Sequence, residues 1–124
     1  AVAVAGSGRL RALAEAAGPP GAWWRAAEPR VVLDLPDRLV LLKPPGWEVR
    51  DQHQERQLLH FAEQLSAHRW PILRDARHQH GFLHRLDVPC SGLILAAKSY
   101  EAYYDLRVQL GAGRLARDYV VLCH

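Results

Sequence analysis

The sequence predicts an α+β domain built on a mixed, largely antiparallel sheet with flanking helices. Residues 93–97 form an apolar Leu-Ile-Leu-Ala-Ala run after a turn signal, which indicates a strand that is covered on both faces. Residues 31–35 and 38–42 are rich in Val and Leu and are separated by Pro36-Asp37, a pattern typical of two strands joined by a turn. Residues 55–68 carry apolar side chains at helical spacing.

The second half of the chain contains further helix and strand signals. Trp70-Pro71 is predicted to end the first helix, and a polar loop over 74–80 leads to a short strand over 81–83. Ser99 is a candidate N-cap for a second helix over 100–110. Residues 115–123 predict the last strand, because they include a β-prone Tyr-Val-Val-Leu run.

Residues 1–30 are interpreted as an N-terminal extension with a short helix and a linker, and residues 31–124 as the domain itself. Ser7 is a candidate cap for that helix, which Gly18 and two prolines would close. Arg9 with Arg11 and little acid would also fit the tail of an organelle transit peptide. A poorly ordered appendage is favoured over both.

Length and composition indicate one soluble globular domain. The chain has 124 residues, of which 49% are hydrophobic and 23% charged, and no run approaches the roughly 18 apolar residues of a membrane span. Cys90 and Cys123 form no CxxC pair, and no secretory signal is visible, so we expect reduced thiols in an intracellular protein. Cytoplasm and organelle stay open. The start at Ala1 and the end in an apolar run suggest an excerpt of a longer product.

The charge balance is mildly basic and comes almost entirely from arginine. The net charge is +3, and Lys43 and Lys98 are the only lysines. Arginine suits phosphate because its planar fork can bind two oxygens, yet a charge of this size does not establish a nucleic-acid partner. Six histidines are interleaved with the basic residues of the central part: Arg50, Arg56, Arg69, Arg74, Arg77 and Arg85. A solvated face is favoured there over an RNA-facing surface.

The segment over residues 84–93, His-Arg-Leu-Asp-Val-Pro-Cys-Ser-Gly-Leu, is the most informative part of the sequence. It places Asp87 on a tight loop directly before a buried strand, a rigid position for a reactive carboxylate. The alternative is an aspartate that caps a turn by accepting from backbone N–H groups. Spacing alone leaves both interpretations open.

This segment resembles the signature of the RluA-like pseudouridine synthases, in which the Asp of His-Arg-Leu-Asp is catalytic. Residues 40–46, ending in Lys-Pro-Pro-Gly, resemble an early strand of that family. Residues 117–121, Arg-Asp-Tyr-Val-Val, resemble a later strand whose Tyr lies against the target base. The resemblance implies that residues 31–124 are part of a pseudouridine synthase catalytic domain, truncated after its front half.

The implied reaction isomerises uridine to pseudouridine in ribosomal or transfer RNA. Asp87, ionised, would act as a nucleophile or remove a ribose proton while the bond between C1′ and N1 is broken. Tyr119 would stack on the uracil, and its hydroxyl could relay the C5 proton. The reaction requires no metal and no redox cofactor. The expected partner is RNA, with no membrane and a monomeric protein.

Three further residues are candidates for substrate binding. Arg85 would pair with Asp87 or contact phosphate. Lys43 would position either phosphate or the catalytic loop, with a plain surface cation at a strand end as the alternative. His84 is expected to orient the loop.

Two other kinds of site are disfavoured. A metal site formed by His78, His80 and His84 would need Asp87 as a ligand, because no cysteine completes a zinc set. Ser91 lacks the Gly-x-Ser-x-Gly context of a hydrolase nucleophile.

The sequence departs from the family pattern at several positions. Val88-Pro89 replaces a more polar pair, and Cys90 stands where Thr is common. The family's later Gln-x-Arg-x-His segment, whose Arg pairs with the catalytic Asp, does not follow Tyr119. We therefore keep two alternatives open: a catalytically inactive RNA-binding module, and a protein-interaction domain in which the segment is only a turn.

Overall fold

The computed structural model describes the backbone of residues 2–6, 25–113 and 116–120, and the side chains of residues 25–113. In these ranges the bounds of the strands and helices are β1 (Val2–Gly6), β2 (Arg30–Asp34), β3 (Arg38–Lys43), α1 (Leu58–Ser66), two 3-10 helices (Pro71–Arg74 and Ala76–Gly81), β4 (Ser91–Ala97), α2 (Tyr100–Gly111) and β5 (Ala116–Val120). None of the helices in the described part is long and apolar enough to cross a membrane.

The strands form one five-stranded sheet in the order β2-β3-β4-β1-β5. β1 runs parallel to β4, whereas the pairs β2–β3, β3–β4 and β1–β5 are antiparallel. The predicted α+β class with a mixed, largely antiparallel sheet is therefore confirmed.

The core lies on both faces of this sheet. Successive side chains of a strand point to opposite faces, so β3 and β4 each supply two apolar rows. One row packs against α2. The buried residues of this cluster include Val40, Leu42, Leu93 and Leu95 from the strands and Tyr103 and Leu106 from α2. The other row packs against α1. This cluster includes Leu39, Leu41 and Ile94 from the strands, Leu58 and Leu59 from α1, and Leu86 from the Asp87 loop. All seven residues of β4 are buried, as the sequence predicts for a strand with both faces covered.

The hairpin and the second helix follow their local signals. The backbone N–H of Leu35 donates to the carbonyl of Arg38 at 2.9 Å and closes the turn between β2 and β3. The Ser99 hydroxyl accepts from the backbone N–H of Ala102 at 3.2 Å, so Ser99 is the N-cap of α2, as predicted.

The first helix is shorter than predicted, with bounds at Leu58 and Ser66 instead of 55 and 68. Its N-terminal limit is a tertiary effect, because Gln57 is extended and forms a bridge with Glu48, whose backbone N–H donates to the carbonyl of Arg56 at 3.0 Å. At the other end Ala67 adopts a left-handed conformation with φ of 46°, which stops the helix.

Two local predictions are wrong. The predicted strand over 81–83 is a single bridge between Phe82 and Ala96, and the predicted loop over 74–80 lies largely in 3-10 helices. Strand β1 was not predicted, although it pairs with β4 and β5. The helix predicted from Ser7 lies outside the described residues, and the division of the chain at residue 30 stays a prediction.

We expect Gly81 to be essential for stability. Its φ is +82°, and an added Cβ would lie 2.6 Å from the carbonyl oxygen of Ala97, so Gly81→Ala combines backbone strain with a clash. The expected loss is about 3 kcal/mol in the free energy of unfolding. Gly46 is a matched control, since its φ is +84° but no atom lies within 4 Å of an added Cβ. Gly46→Ala should cost about 1 kcal/mol. Equal losses in denaturant titrations of the two variants would contradict the argument.

Candidate active site

The loop that carries Asp87 connects Phe82 to β4. The backbone N–H of Cys90 donates to the carbonyl of Asp87 at 2.9 Å, which closes a turn over residues 87–90. The side chain of Leu86 is buried in the core, whereas Asp87 itself is exposed. The loop thus fixes the backbone of Asp87 and leaves its carboxylate facing solvent. The carboxylate makes no hydrogen bond or ion pair to any residue whose side chain is described.

Lys43, the last residue of β3, is hydrogen-bonded to this loop. Its side chain is fully buried. The ammonium donates to the carbonyl oxygens of Val88 at 3.2 Å, Cys90 at 2.5 Å and Pro44 at 3.1 Å. The backbone N–H of Gly46 adds a bond to Val88 at 2.8 Å. Because an ammonium has three donors, these carbonyls account for all of them. The arrangement favours a loop-positioning role for Lys43 over direct contact with phosphate.

Burial also changes the acidity of Lys43. Desolvation lowers its pKa from 10.5 to about 8, while electrostatic interactions with Cys90 and Asp87 act in the opposite direction. Asp87 therefore lies close enough for its charge to interact with the ammonium. The two residues form an electrostatic unit in which one member is buried and the other is exposed.

His84 fixes the other side of the loop. Its Nε2 accepts from the backbone N–H of Leu95 at 3.1 Å, and the neighbouring N–H of Leu83 donates to the Leu95 carbonyl at 3.2 Å. The segment before Asp87 is therefore attached to β4. This contact fits the predicted orienting role, and contact of His84 with substrate stays a prediction.

Arg85 pairs with a residue that the sequence analysis did not consider. Its guanidinium donates to the carboxylate of Asp51 at 2.7 Å. Of the two predicted partners for Arg85, Asp87 is thus not the one that it binds in this structure, and phosphate stays a prediction. The side chain of Arg85 is 56% exposed, so a ligand can reach it.

Tyr119 lies in β5, and its side chain is outside the described residues. The strand register nevertheless places its backbone. Lys43 is opposite Gly92, Gly92 is opposite Ala3, and Ala3 is opposite Tyr119. These residues form one row across the sheet, and Tyr119 is two strands, or about 10 Å, from Gly92. The register therefore brings Lys43 and Tyr119 to the end of the sheet at which the Asp87 loop enters β4.

The histidines named in the metal alternative have separate contacts. His78 bonds to Asp75 and to the hydroxyl of Tyr104, each at 2.9 Å, and His80 bonds to the carbonyl of Leu73 at 2.7 Å. Over the described ranges, no three metal-ligating side chains lie together. Ser91, the other alternative, is buried.

Three residues that were not predicted from the sequence shape the surroundings of Arg85: Glu48, Asp51 and Gln57. Glu48 and Gln57 are buried polar residues that hydrogen-bond each other and organise residues 50–56. Glu48 stands between two apolar residues, which was the available signal, but Gln57 ends a run of polar residues over 50–57 and does not stand out as its partner. Asp51 follows Arg50 in sequence and gives no signal of its contact with a residue 34 positions away.

The fold and this site define an α+β domain that presents one exposed carboxylate on a fixed loop beside arginine. A family model described as RNA pseudouridylate synthase matches residues 37–124, which is more than half of the chain. The chain therefore belongs to the RNA pseudouridylate synthase family. Searches of curated proteins and of solved structures give no significant match.

We expect Lys43 to make stability depend on pH in a defined window. An unfolded lysine titrates near 10.5 and the folded one near 8, so the folded chain binds fewer protons between these values. The free energy of unfolding should therefore rise with pH from 8 to 10.5, by on the order of 3 kcal/mol.

The measurement is a set of denaturant titrations across this window for the wild type and Lys43→Met. The rise should be smaller in Lys43→Met, and Lys98→Met serves as a control that removes the other lysine of the chain. Equal pH slopes in the wild type and Lys43→Met would contradict the assignment.

Proposed function

We propose that the protein is an RluA-type pseudouridine synthase that isomerises uridine in ribosomal or transfer RNA, with Asp87 as the catalytic residue. The observation that carries this proposal is the exposed carboxylate on a loop fixed by Lys43. Family membership supports RNA as the substrate and pseudouridine formation as the reaction class.

The reaction needs a carboxylate beside the nucleotide, and it needs the uracil to turn once it is detached from the ribose. Asp87 assists cleavage of the bond between C1′ and N1 of the uridine, as nucleophile or by removing a ribose proton. The uracil then turns and is rejoined through C5, which must lose its proton. A fixed backbone with a solvent-facing side chain suits the first step, because the acid is oriented before the nucleotide arrives.

The other candidate residues have supporting roles in this proposal. Tyr119 stacks on the uracil and relays the C5 proton. The position of its backbone, in the same row of the sheet as Gly92, is compatible with this role. Arg85 contacts an RNA phosphate. Lys43 and His84 position the loop.

We further propose that the protein acts as a monomer inside the cell, in the cytoplasm or an organelle. Cys90 supports this location, because it is a free cysteine. Residues 31–124 would form the catalytic part, and the segment over 1–30 that precedes it adds β1 to the sheet.

The first test replaces Asp87 with Asn in the complete gene product. Pseudouridine formation in RNA should be abolished, because the amide is neither a nucleophile nor a base. Stability should change by no more than about 0.5 kcal/mol, since the side chain is exposed. Asp34→Asn is the matched control, because that exposed acid lies at the far end of β2.

Retained activity in Asp87→Asn would end the catalytic assignment. RNA binding without activity in the wild type would instead favour the alternative of an inactive binding module. No salt-sensitive RNA binding at all would point to a protein-interaction domain.

A second test separates the two roles of Tyr119. Tyr119→Phe keeps a ring for stacking but lacks the hydroxyl, so RNA affinity should be retained while turnover falls, on the order of 100-fold. Tyr119→Ala should lower affinity as well, because stacking on a base contributes about 1–3 kcal/mol. The measurements are RNA dissociation constants and single-turnover rates. Full turnover in Tyr119→Phe would remove the proton-relay role.

A further inference from the structure

Asp51 lies between two guanidinium groups next to the Asp87 loop. Its Oδ1 accepts from Arg50 at 3.2 Å, and its Oδ2 accepts from Arg85 at 2.7 Å. Each arginine thus binds one oxygen of the same anion. A phosphate group also presents several oxygens to neighbouring donors, so two arginines held in this way are a suitable pair for it.

The loop that presents Asp51 is held independently of this contact. The Glu48 carboxylate accepts from the backbone N–H groups of His53 at 2.9 Å and Gln54 at 3.0 Å, and from the side-chain amide of Gln57. The same hydrogen bonds, that of Gln57 foremost, lower the pKa of Glu48, which keeps it ionised at neutral pH. The position of Asp51 therefore does not depend on its own carboxylate.

The two arginines differ in how much of each faces solvent. The side chain of Arg50 is only 16% exposed, and its buried Nε makes no hydrogen bond to any described residue. The side chain of Arg85 is 56% exposed. Arg50 is thus the more buried member of the pair and Arg85 the solvent-exposed one. Arg85 is two residues from Asp87, a separation of at most about 7 Å along the chain.

We propose that Arg50 and Arg85 form a phosphate site beside Asp87, that Asp51 occupies this site in the free protein, and that a backbone phosphate of the RNA replaces Asp51 on binding. The inference rests on the proposed RNA substrate. The contact of Asp51 with Arg85 is exposed, and exposed ion pairs contribute little to stability, so a phosphate can displace the carboxylate from Arg85 without a large cost. Asp51 then weakens attraction to any anion that does not fit between both arginines.

The test compares Asp51→Asn with Asp34→Asn in the complete gene product. Both variants remove one negative charge. Asp51→Asn removes the ion pairs with Arg50 and Arg85, whereas Asp34→Asn removes one pair, with Lys98, at the end of β2 away from the Asp87 loop. The probe is a short RNA hairpin with a uridine in its loop, and its dissociation constant is measured over a series of salt concentrations.

Asp51→Asn should bind the hairpin about two- to five-fold more tightly than Asp34→Asn does at low salt. The slope of log affinity against log salt concentration should become steeper by up to about 0.7–0.9, which is the value for one phosphate contact. In an Arg85→Ala background the advantage of Asp51→Asn should be lost, because the phosphate site is incomplete.

Equal affinities of Asp51→Asn and Asp34→Asn would overturn the inference, since only net charge would then matter. Weaker binding by Asp51→Asn would overturn it too, because Asp51 would then support Arg85 and not compete for it. If the wild type forms pseudouridine and either result is found, only this inference fails. If the wild type binds no RNA, the proposed function fails with it.

Discussion

The contact of the Lys43 ammonium with the carbonyls of Val88 and Cys90 is the constraint on which the rest of the site depends. Burying a cation is costly unless its donors are satisfied, and here every donor has a carbonyl acceptor. The contact ties the end of β3 to the turn after Asp87. The apolar core holds Lys43, and Lys43 holds the loop, so the position of an exposed carboxylate follows from buried interactions.

The sheet extends this constraint to residues distant in sequence. β4 lies in the centre, between β3 and β1, and its two apolar rows are covered by α1 and α2. Strands buried in this way cannot shift register by one residue without exposing a whole row of the core. The row that joins Lys43, Gly92 and Tyr119 is therefore set by the packing of the sheet as a whole. In the proposed function, loop and strand residues act on one ligand because the same register places their backbones.

The features that the sequence predicted are those with local causes. The apolar run of β4, the turn at 36–37 and the cap at Ser99 depend on neighbouring residues, and each was located correctly. The start of α1 was misplaced because residues 56 and 57 pair with the backbone of Glu48, which is a tertiary contact. The partner of Arg85 was missed because Asp51 lies 34 positions away. β1 was missed because Val-Ala-Val-Ala-Gly is short and acquires its strand partners only from β4 and β5.

Lys43 and Arg85 have chemically different tasks at this end of the sheet, and their residue types fit them. Lys43 must satisfy three carbonyls that converge on one point, which a compact ammonium with three rotatable donors can do and a planar guanidinium cannot. More than half of the Arg85 side chain is exposed to solvent. Its guanidinium can therefore release one anion and bind another with the same pair of donors. Because all three donors of Lys43 bind the loop, we propose that phosphate binding falls to Arg50 and Arg85, and that Asp51 between them controls when this site is free.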